Sequence, residues 1–442
     1  MKKSVSPEEE AKLSRTLTPL MLWGLGVGYV ISGMYFGWNL GLEKGGTLGL
    51  AIATFFIIIL YITFTFSYAE LASAIPKAGG GFDYTRRAFG DTWGFVAGMA
   101  QNIEFIFAPP AIAFAIGAYF NLFFPSVPII VISIISYILF TALNIRGVKI
   151  SALFELGITL FAVGELLLFA GITLPHFSSD AFFENSLPNG ISGIFAALPF
   201  AIWFFLGLEG VANVAEETIN PQRTIKVGFS SALITLIVLC LLVFAGAVGV
   251  GGWENIVYRA DGSTSDSPLP LALINIVGEN NFLYHLLITV GLFGLIASFH
   301  GLILAAGRAS YEFGKVRFAP PVFGKIHPTF HTPANALLLN MGIGILALLT
   351  GKTAEIITIA VFGALFLYFF SMISLIKLRR SEPELPRPFK VPFYPLFPYT
   401  ALIITLVALI AMIVFNFVLF LLFFSIMLIS VFIFLRLKKN IL

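Results

Sequence analysis

The chain has 442 residues, of which 58% are apolar and only 11% charged, with a formal net charge of +3. Soluble domains run nearer half apolar and a quarter charged, so this composition excludes a cytosolic enzyme, a disordered chain and a nucleic-acid binder. What remains is an integral membrane protein. Its 48 Phe and 41 Gly suit lipid-facing helices packed through small residues, whereas a transmembrane β-barrel alternates apolar and polar residues in segments of about ten. The lone Cys240 excludes an intrachain disulfide and any multi-cysteine metal site.

A spanning helix needs about 20 mainly apolar residues. Twelve such runs follow in chain order, at 18–40, 49–74, 93–121, 127–143, 150–174, 191–213, 227–250, 283–308, 334–350, 353–377, 396–415 and 417–436. No small-residue cleavage site follows the first apolar run, so no removed signal peptide is expected. With the N-terminus placed inside, all of the 26 Lys and Arg except Lys44, Arg259 and Lys352 fall in inner segments. That asymmetry supports an even number of spans and puts both termini in the cytoplasm.

The same distribution leaves no Lys or Arg in the middle of a span, while Glu104, Glu155, Glu165 and Glu209 all lie within spans. Carboxyl groups at that depth are costly and point to function, and without cationic side chains the interior suits a cationic ligand. Glu155 and Glu165 are read as structural, and Glu104 and Glu209 as functional. Pro109 and Pro110 follow Glu104 and free the carbonyls of Phe105 and Ile106 from their helical donors, so an acid beside open carbonyls there suits an ammonium or a hydroxyl. Trp38 and Trp253 are expected in interfacial belts.

Span 1 holds Gly24, Gly26, Gly28, Gly33 and Gly37, and span 6 holds Gly207 and Gly210. Span 6 opens the second set of five as span 1 opens the first, and glycine-interrupted helices at matching positions point to an inverted repeat around a midplane site. Unwound backbone is tolerated at that depth only where it lines a cavity. The outer half of span 6 ends near Trp203 to Leu206, where unpaired carbonyls suit an ammonium group. Trp203 is placed to cover that ammonium with its indole face.

At these residues the sequence resembles a known family. AELASAIPKAGGGFDY (69–84), the interrupted first span and the stretch from Gly207 to Arg223 resemble the amino acid–polyamine–organocation superfamily. More narrowly, SGMYFGWN (32–39), EFIFAPPAIAFAIGAYFN (104–121), PFAIWFFLGLEGVANVAEE (199–217) and GLFGLIASFHGLIL (291–304) resemble its ethanolamine permease branch. The resemblance implies an all-α integral membrane protein with 12 transmembrane helices and a LeuT-like five-plus-five inverted repeat in which helices 1 and 6 are unwound. The implied organisation is a cytoplasmic tail (1–17), a first repeat (18–174), an extracellular loop (175–190), a second repeat (191–377), a cytoplasmic loop (378–395) and a last helix pair with its tail (396–442). It also implies a plasma-membrane permease that imports a small amine, ethanolamine foremost, by alternating access. An amino acid symporter or exchanger of the same superfamily is the alternative.

Carried over residue by residue, the resemblance puts the unwound part of span 1 at Val30 through Met34 and the central aromatic and acid of span 6 at Trp203 and Glu209. The expected substrate-binding residues are Val30, Ser32, Gly33, Met34, Glu104, Trp203, Leu206, Gly207 and Glu209. Ser32-Gly33-Met34 stands where amino acid carriers show a Gly-x-Gly whose amides hold a carboxylate, so the second glycine is absent. Glu209, Ser298 and His300 are candidates for coupling to a proton or a sodium ion. Span 5 has no lysine, which excludes coupling through one. No nucleophile–base pair, metal cluster or nucleotide loop stands out, so neither enzymatic activity nor a cofactor is expected; the expected partners are the amine, a coupling ion and membrane lipids.

Overall fold

The computed structural model describes residues 17–77, 79–147 and 152–439. The segment 1–16, with Lys2, Lys3, Lys12 and Arg15, and also Lys149, lie outside the described residues. Among the described residues the chain is helical, with two isolated β-bridges, Leu17 to Thr218 and Tyr258 to Thr264.

Helix α1 (Pro19–Val30) starts where the Thr18 hydroxyl accepts the Met21 N–H, with Pro19 at a position whose N–H would have no helical partner. One more turn, α2 (Ser32–Tyr35), follows Ile31. Next come α3 (Leu40–Ala74), kinked at Gly46 (φ 64°), the short α4 (Gly81–Phe89), α5 (Asp91–Phe123), α6 (Ile129–Ile145) and α7 (Ala152–Thr173). Short helices α8 (Ser179–Phe183), α9 (Gly190–Ala196) and α10 (Leu198–Trp203) lead into a 3-10 segment, Leu208–Glu217. Helix α11 (Pro221–Gly249) again begins on proline, and α12 (Glu254–Val257) and α13 (Pro268–Val277) fill the connection to α14 (Phe282–Lys315). The chain ends with α15 (Ala334–Leu348), α16 (Thr353–Ser381), α17 (Leu396–Phe415) and α18 (Phe417–Lys439).

Nine helices among the described residues are long and apolar enough to cross a membrane. Expected spans 1, 4 and 9 coincide instead with α1, α6 and α15, of 12, 17 and 15 residues. The apolar helix α13 falls in a stretch read as a loop. Burial ranks the long helices: 89% of the apolar window of α5 is inside the protein, against 17% for α18. Helix α5 is therefore the central post, with α4, α6, α14 and α16 against it, and α18 lies on the outside. It continues through Pro109 and Pro110, because packed neighbours hold a membrane helix together where a soluble one would break.

At the end of the bundle where α3 and α16 finish, the buried Glu70 accepts two 2.6 Å bonds from Arg379 and one of 2.7 Å from the Val391 N–H, with Arg387 at 3.3 Å. Four donors around one carboxylate bind α3, α16 and the 382–395 connection together, and losing either partner would strand a buried charge. The two tryptophans expected in interfacial belts are in the interior. Trp38 is fully buried, donates from Nε1 to the Met34 carbonyl and stacks on Phe204, while Trp253 donates to the Asn185 carbonyl. Each indole N–H finds a protein acceptor, which removes the need for the interface.

Candidate functional site

The break in span 6 is local and sharp. Helix α10 ends at Trp203, the chain turns through Phe204 to Gly207, and Gly207 takes the left-handed conformation (φ 98°, ψ −8°) that favours glycine. The Glu209 side chain reaches back so that its Oε1 accepts the Gly207 N–H at 3.1 Å, satisfying a donor the break sets free.

The break in span 1 is milder than the expected unwinding over Val30 to Met34. Ile31 stays right-handed (φ −59°, ψ −24°), and helical backbone is lost only at Phe36 (φ −161°, ψ 174°) and Gly37 (φ 86°). The reason lies in packing. A Cβ on Gly33 would come 2.5 Å from the Trp203 carbonyl oxygen and 3.2 Å from the Phe204 Cα, so Gly33 lets the two interrupted helices cross in contact. The Trp203 Nε1 donates to the Phe36 carbonyl at 3.1 Å and locks the crossing.

Beside this crossing lies a closed cavity of about 10 Å³, room for about one water. Five of the expected residues line it: Ser32, Glu104, Trp203, Leu206 and Gly207. Phe105, whose carbonyl the sequence already marks out, completes the wall with Ala108 and Leu302, which were not foreseen. Ala108 follows Glu104 by four residues on α5, and Leu302 stands four residues beyond Ser298 on α14, so helical spacing from the named residues was the available signal. Val30, Gly33 and Met34 are buried but do not reach the wall.

Glu104 is fully buried; neither carboxyl oxygen meets an N–H or O–H donor among the described residues, and the Glu209 carboxyl group lies within side-chain hydrogen-bond reach of it. Glu209 stands off the cavity but near enough to act electrostatically on Glu104. Its Oε2 accepts the Tyr368 hydroxyl at 2.8 Å, and that hydroxyl is 2.8 Å from the Tyr61 hydroxyl. The bonded partners of Glu209 are thus an amide, a phenol and the Glu104 carboxyl group rather than a cation. Two acids are gathered side by side with no N–H or O–H donor on Glu104 among the described residues, an arrangement that favours a shared proton or a bound positive charge.

Ser298 donates to the Tyr29 carbonyl at 2.7 Å and lies 2.8 Å from the Ser32 hydroxyl. A carbonyl only accepts, so Ser298 commits its proton there and Ser32 donates to Ser298. The chain ties α14 to span 1 where α1 meets α2 and gathers three oxygens, the donor type preferred by hard cations. No group of three or more His, Cys, Asp or Glu arranged for a metal is found among the described residues. His300 looks elsewhere: its Nδ1 is 3.1 Å from the Asn144 amide on α6, and its ring meets Phe140 edge-on, so it does not join the cavity. Glu165 accepts the Tyr35 hydroxyl at 2.6 Å, and Glu155 lies against Gly28.

Apolar membrane-crossing helices around a closed, acid-bearing cavity define the class: a multi-pass membrane transporter. The chain matches the amino acid permease family over residues 17–434 and belongs to it, and through it to the amino acid–polyamine–organocation superfamily. It is similar to an uncharacterized transporter of Rhizobium meliloti, 28% identical over 409 residues that cover 89% of this chain and 85% of the relative. A methylthioribose transporter of Bacillus subtilis is 27% identical over 420 residues, covering 89% and 87%. A low-affinity putrescine importer of Escherichia coli is 26% identical over 400 residues, covering 85% and 84%. The chain is a permease for a small molecule and not an enzyme.

Proposed function

We propose that the chain imports a small cationic amine, ethanolamine or a close analogue, by alternating access. The observation that carries this reading is the pair of buried acids at the cavity: Glu104 on its wall, without an N–H or O–H donor among the described residues, and Glu209 within hydrogen-bond reach of it. An ammonium supplies the missing donors and the missing charge in one group. Trp203 offers an aromatic wall, and Ser32 a hydroxyl for the polar tail of the substrate. In this reading the twelve expected spans form two inverted sets of five, 18–174 and 191–377, followed by a last pair, in a plasma membrane with both termini cytoplasmic. The cavity admits only about one water, so the state described is closed around the site, and entry of an amine requires the interrupted helices to move apart. Inward movement of one positive charge gains about 2.3 kcal/mol per 100 mV, enough to accumulate a cation without a second ion. A proton held by Glu209 or a sodium ion held at Ser298 is the coupling device in this reading; His300, off the cavity, is not.

An amino acid symporter or exchanger is the second reading, and the family's own description favours it. The two readings differ at the carboxylate. Gly33 is pressed on the Trp203 carbonyl and Met34 stands where a second glycine would open the backbone, so the amides of span 1 offer little room for one. The test is competition against labelled ethanolamine in proteoliposomes, run beside Glu104→Gln. The amine reading expects ethanolamine to outcompete alanine and serine, and expects Glu104→Gln to weaken it about five- to a hundred-fold, the range of a charged hydrogen bond at low dielectric. Stronger inhibition by the amino acids, or wild-type affinity in Glu104→Gln, overturns it.

A further inference from the structure

We infer that the groove between the end of α16 and the start of α17 binds an anionic phospholipid, with its phosphate on Lys377 and Arg380 and an acyl chain along Ile373, Ile376 and Leu402. The groove has a volume of about 470 Å³ and is far roomier than the closed cavity. Its two ends differ in chemistry. Lys377 and Arg380 are one turn apart on α16, with Ser381 beside them and Tyr399 facing them from α17. Ile373 precedes Lys377 by four residues, and Leu402 follows Tyr399 by three on a helix that begins where α16 has ended. The polar end therefore lies at the helix ends and the apolar wall runs back towards the middle of the bundle, the polarity of a lipid molecule.

Depth agrees with this arrangement. Lys377 is 24 residues beyond Thr353, or roughly 36 Å at 1.5 Å per residue, past a hydrocarbon core of about 30 Å and within the headgroup layer. Charge agrees as well. The neighbouring cations are already matched, Arg379 by Glu70 and Arg87 by Glu382 at 2.6 Å. Lys377 and Arg380 are not: among the described residues, the one is held 4.3 Å over the Phe89 ring and the other 3.4 Å from the Tyr399 hydroxyl, with no carboxylate on either. Two like charges on one helical face repel each other unless an anion joins them. A phosphate supplies that anion, and a basic pocket between membrane helices at headgroup depth is a recognised form of anionic lipid site. A second lipid-facing groove of about 390 Å³, walled by Ile52, Phe56, Ile191 and Val407, has no charged group and selects no headgroup.

The experiment uses the full chain in detergent, delipidated and then exposed to phosphatidylglycerol, phosphatidylcholine or free glycerol phosphate, with bound molecules counted by native mass spectrometry and melting temperature read in parallel. Phosphatidylglycerol is expected to bind and to raise the melting temperature, while phosphatidylcholine and glycerol phosphate at equal concentration do neither. Each cation near an anionic headgroup is worth about 1 kcal/mol, or about fivefold in affinity. Lys377→Gln with Arg380→Gln should therefore weaken phosphatidylglycerol about 25-fold, and Lys352→Gln, at the opposite end of the same helix, should leave it unchanged. Equal retention of phosphatidylglycerol by the double variant, equal binding of phosphatidylcholine, or binding of glycerol phosphate as tight as that of the lipid would each overturn the assignment. Both replaced side chains are exposed, so the variant keeps its fold and the comparison stays readable.

Discussion

In the first interrupted span the backbone stays right-handed through Ile31 and leaves the helix only at Phe36 and Gly37, whereas the second turns fully at Phe204 to Gly207 and resumes as a 3-10 segment. Span 1 has five glycines and span 6 three, Gly193 among them. Glycine count is therefore a poor guide to unwinding. In span 1, Gly24 presses on Leu156, Gly28 on Glu155 and Gly33 on the Trp203 carbonyl, so these glycines remove side chains where another helix must approach. In span 6, Gly207 has ordinary clearance, 3.5 Å to Leu302, and is needed for its positive φ. Gly24, Gly28 and Gly33 serve contact, whereas Gly207, like Gly37 at the end of span 1, serves conformation.

Alanine separates the two uses. Gly33→Ala forces a Cβ to 2.5 Å from a backbone oxygen that cannot swing aside, so it should cost about 1–3 kcal/mol as overpacking and abolish uptake by prying the interrupted helices apart. Gly207→Ala meets no obstacle and pays for its left-handed backbone, about 1–2 kcal/mol, with part of the uptake kept. Melting temperature and initial uptake rate, measured on both variants in the same vesicles, check the order. If Gly207→Ala is the worse of the two for uptake, the contact role given to span 1 is wrong.

How far the sequence carried this picture depends on whether the signal was local. Long apolar runs, the crowding of basic residues between them and the break at Gly207 are written in contiguous residues, and the helices lie close to the expected places. Ser32, Glu104, Trp203, Leu206 and Gly207 do converge on one cavity. The links that cross the molecule were illegible: Glu209 to Tyr368 is a contact over 159 positions and Ser298 to Tyr29 one over 269. Trp38 was misread for the same reason. Its burial depends on Phe204, 166 positions away, while its place near the end of an apolar run suggested an interface.

Trp203 joins the two breaks, so it sharpens the comparison next. Trp203→Phe keeps an aromatic face but removes the Nε1 donor, leaving the Phe36 carbonyl without this bond. An unsatisfied buried acceptor costs about 1–3 kcal/mol. If the indole matters chiefly as a clasp between the breaks, stability falls by that amount while ethanolamine affinity changes less than threefold. If it matters chiefly as a wall over the ammonium, affinity falls more than stability, because phenyl is the weaker partner for a cation. Ligand titration and thermal melting on one preparation distinguish the two.

The smallest effect is expected where span 1 is held from behind. Ser298 gives its only proton to the Tyr29 carbonyl and accepts from Ser32, so Ser298→Ala removes two hydrogen bonds but leaves no new cavity of consequence. Each bond is worth about 0.5–1.5 kcal/mol net. Ser32 keeps its rotational freedom and can turn its hydroxyl towards the cavity that it already lines, which recovers part of the loss. A net cost of about 1 kcal/mol follows, below that of either glycine variant. The same substitution bears on coupling, because it deletes one of three converging oxygens. If those oxygens hold a sodium ion during transport, uptake by Ser298→Ala should lose its dependence on sodium while keeping its dependence on membrane potential. Uptake that responds to sodium as in the unaltered protein would reduce Ser298 to a brace, and would make the mild first break a matter of packing alone.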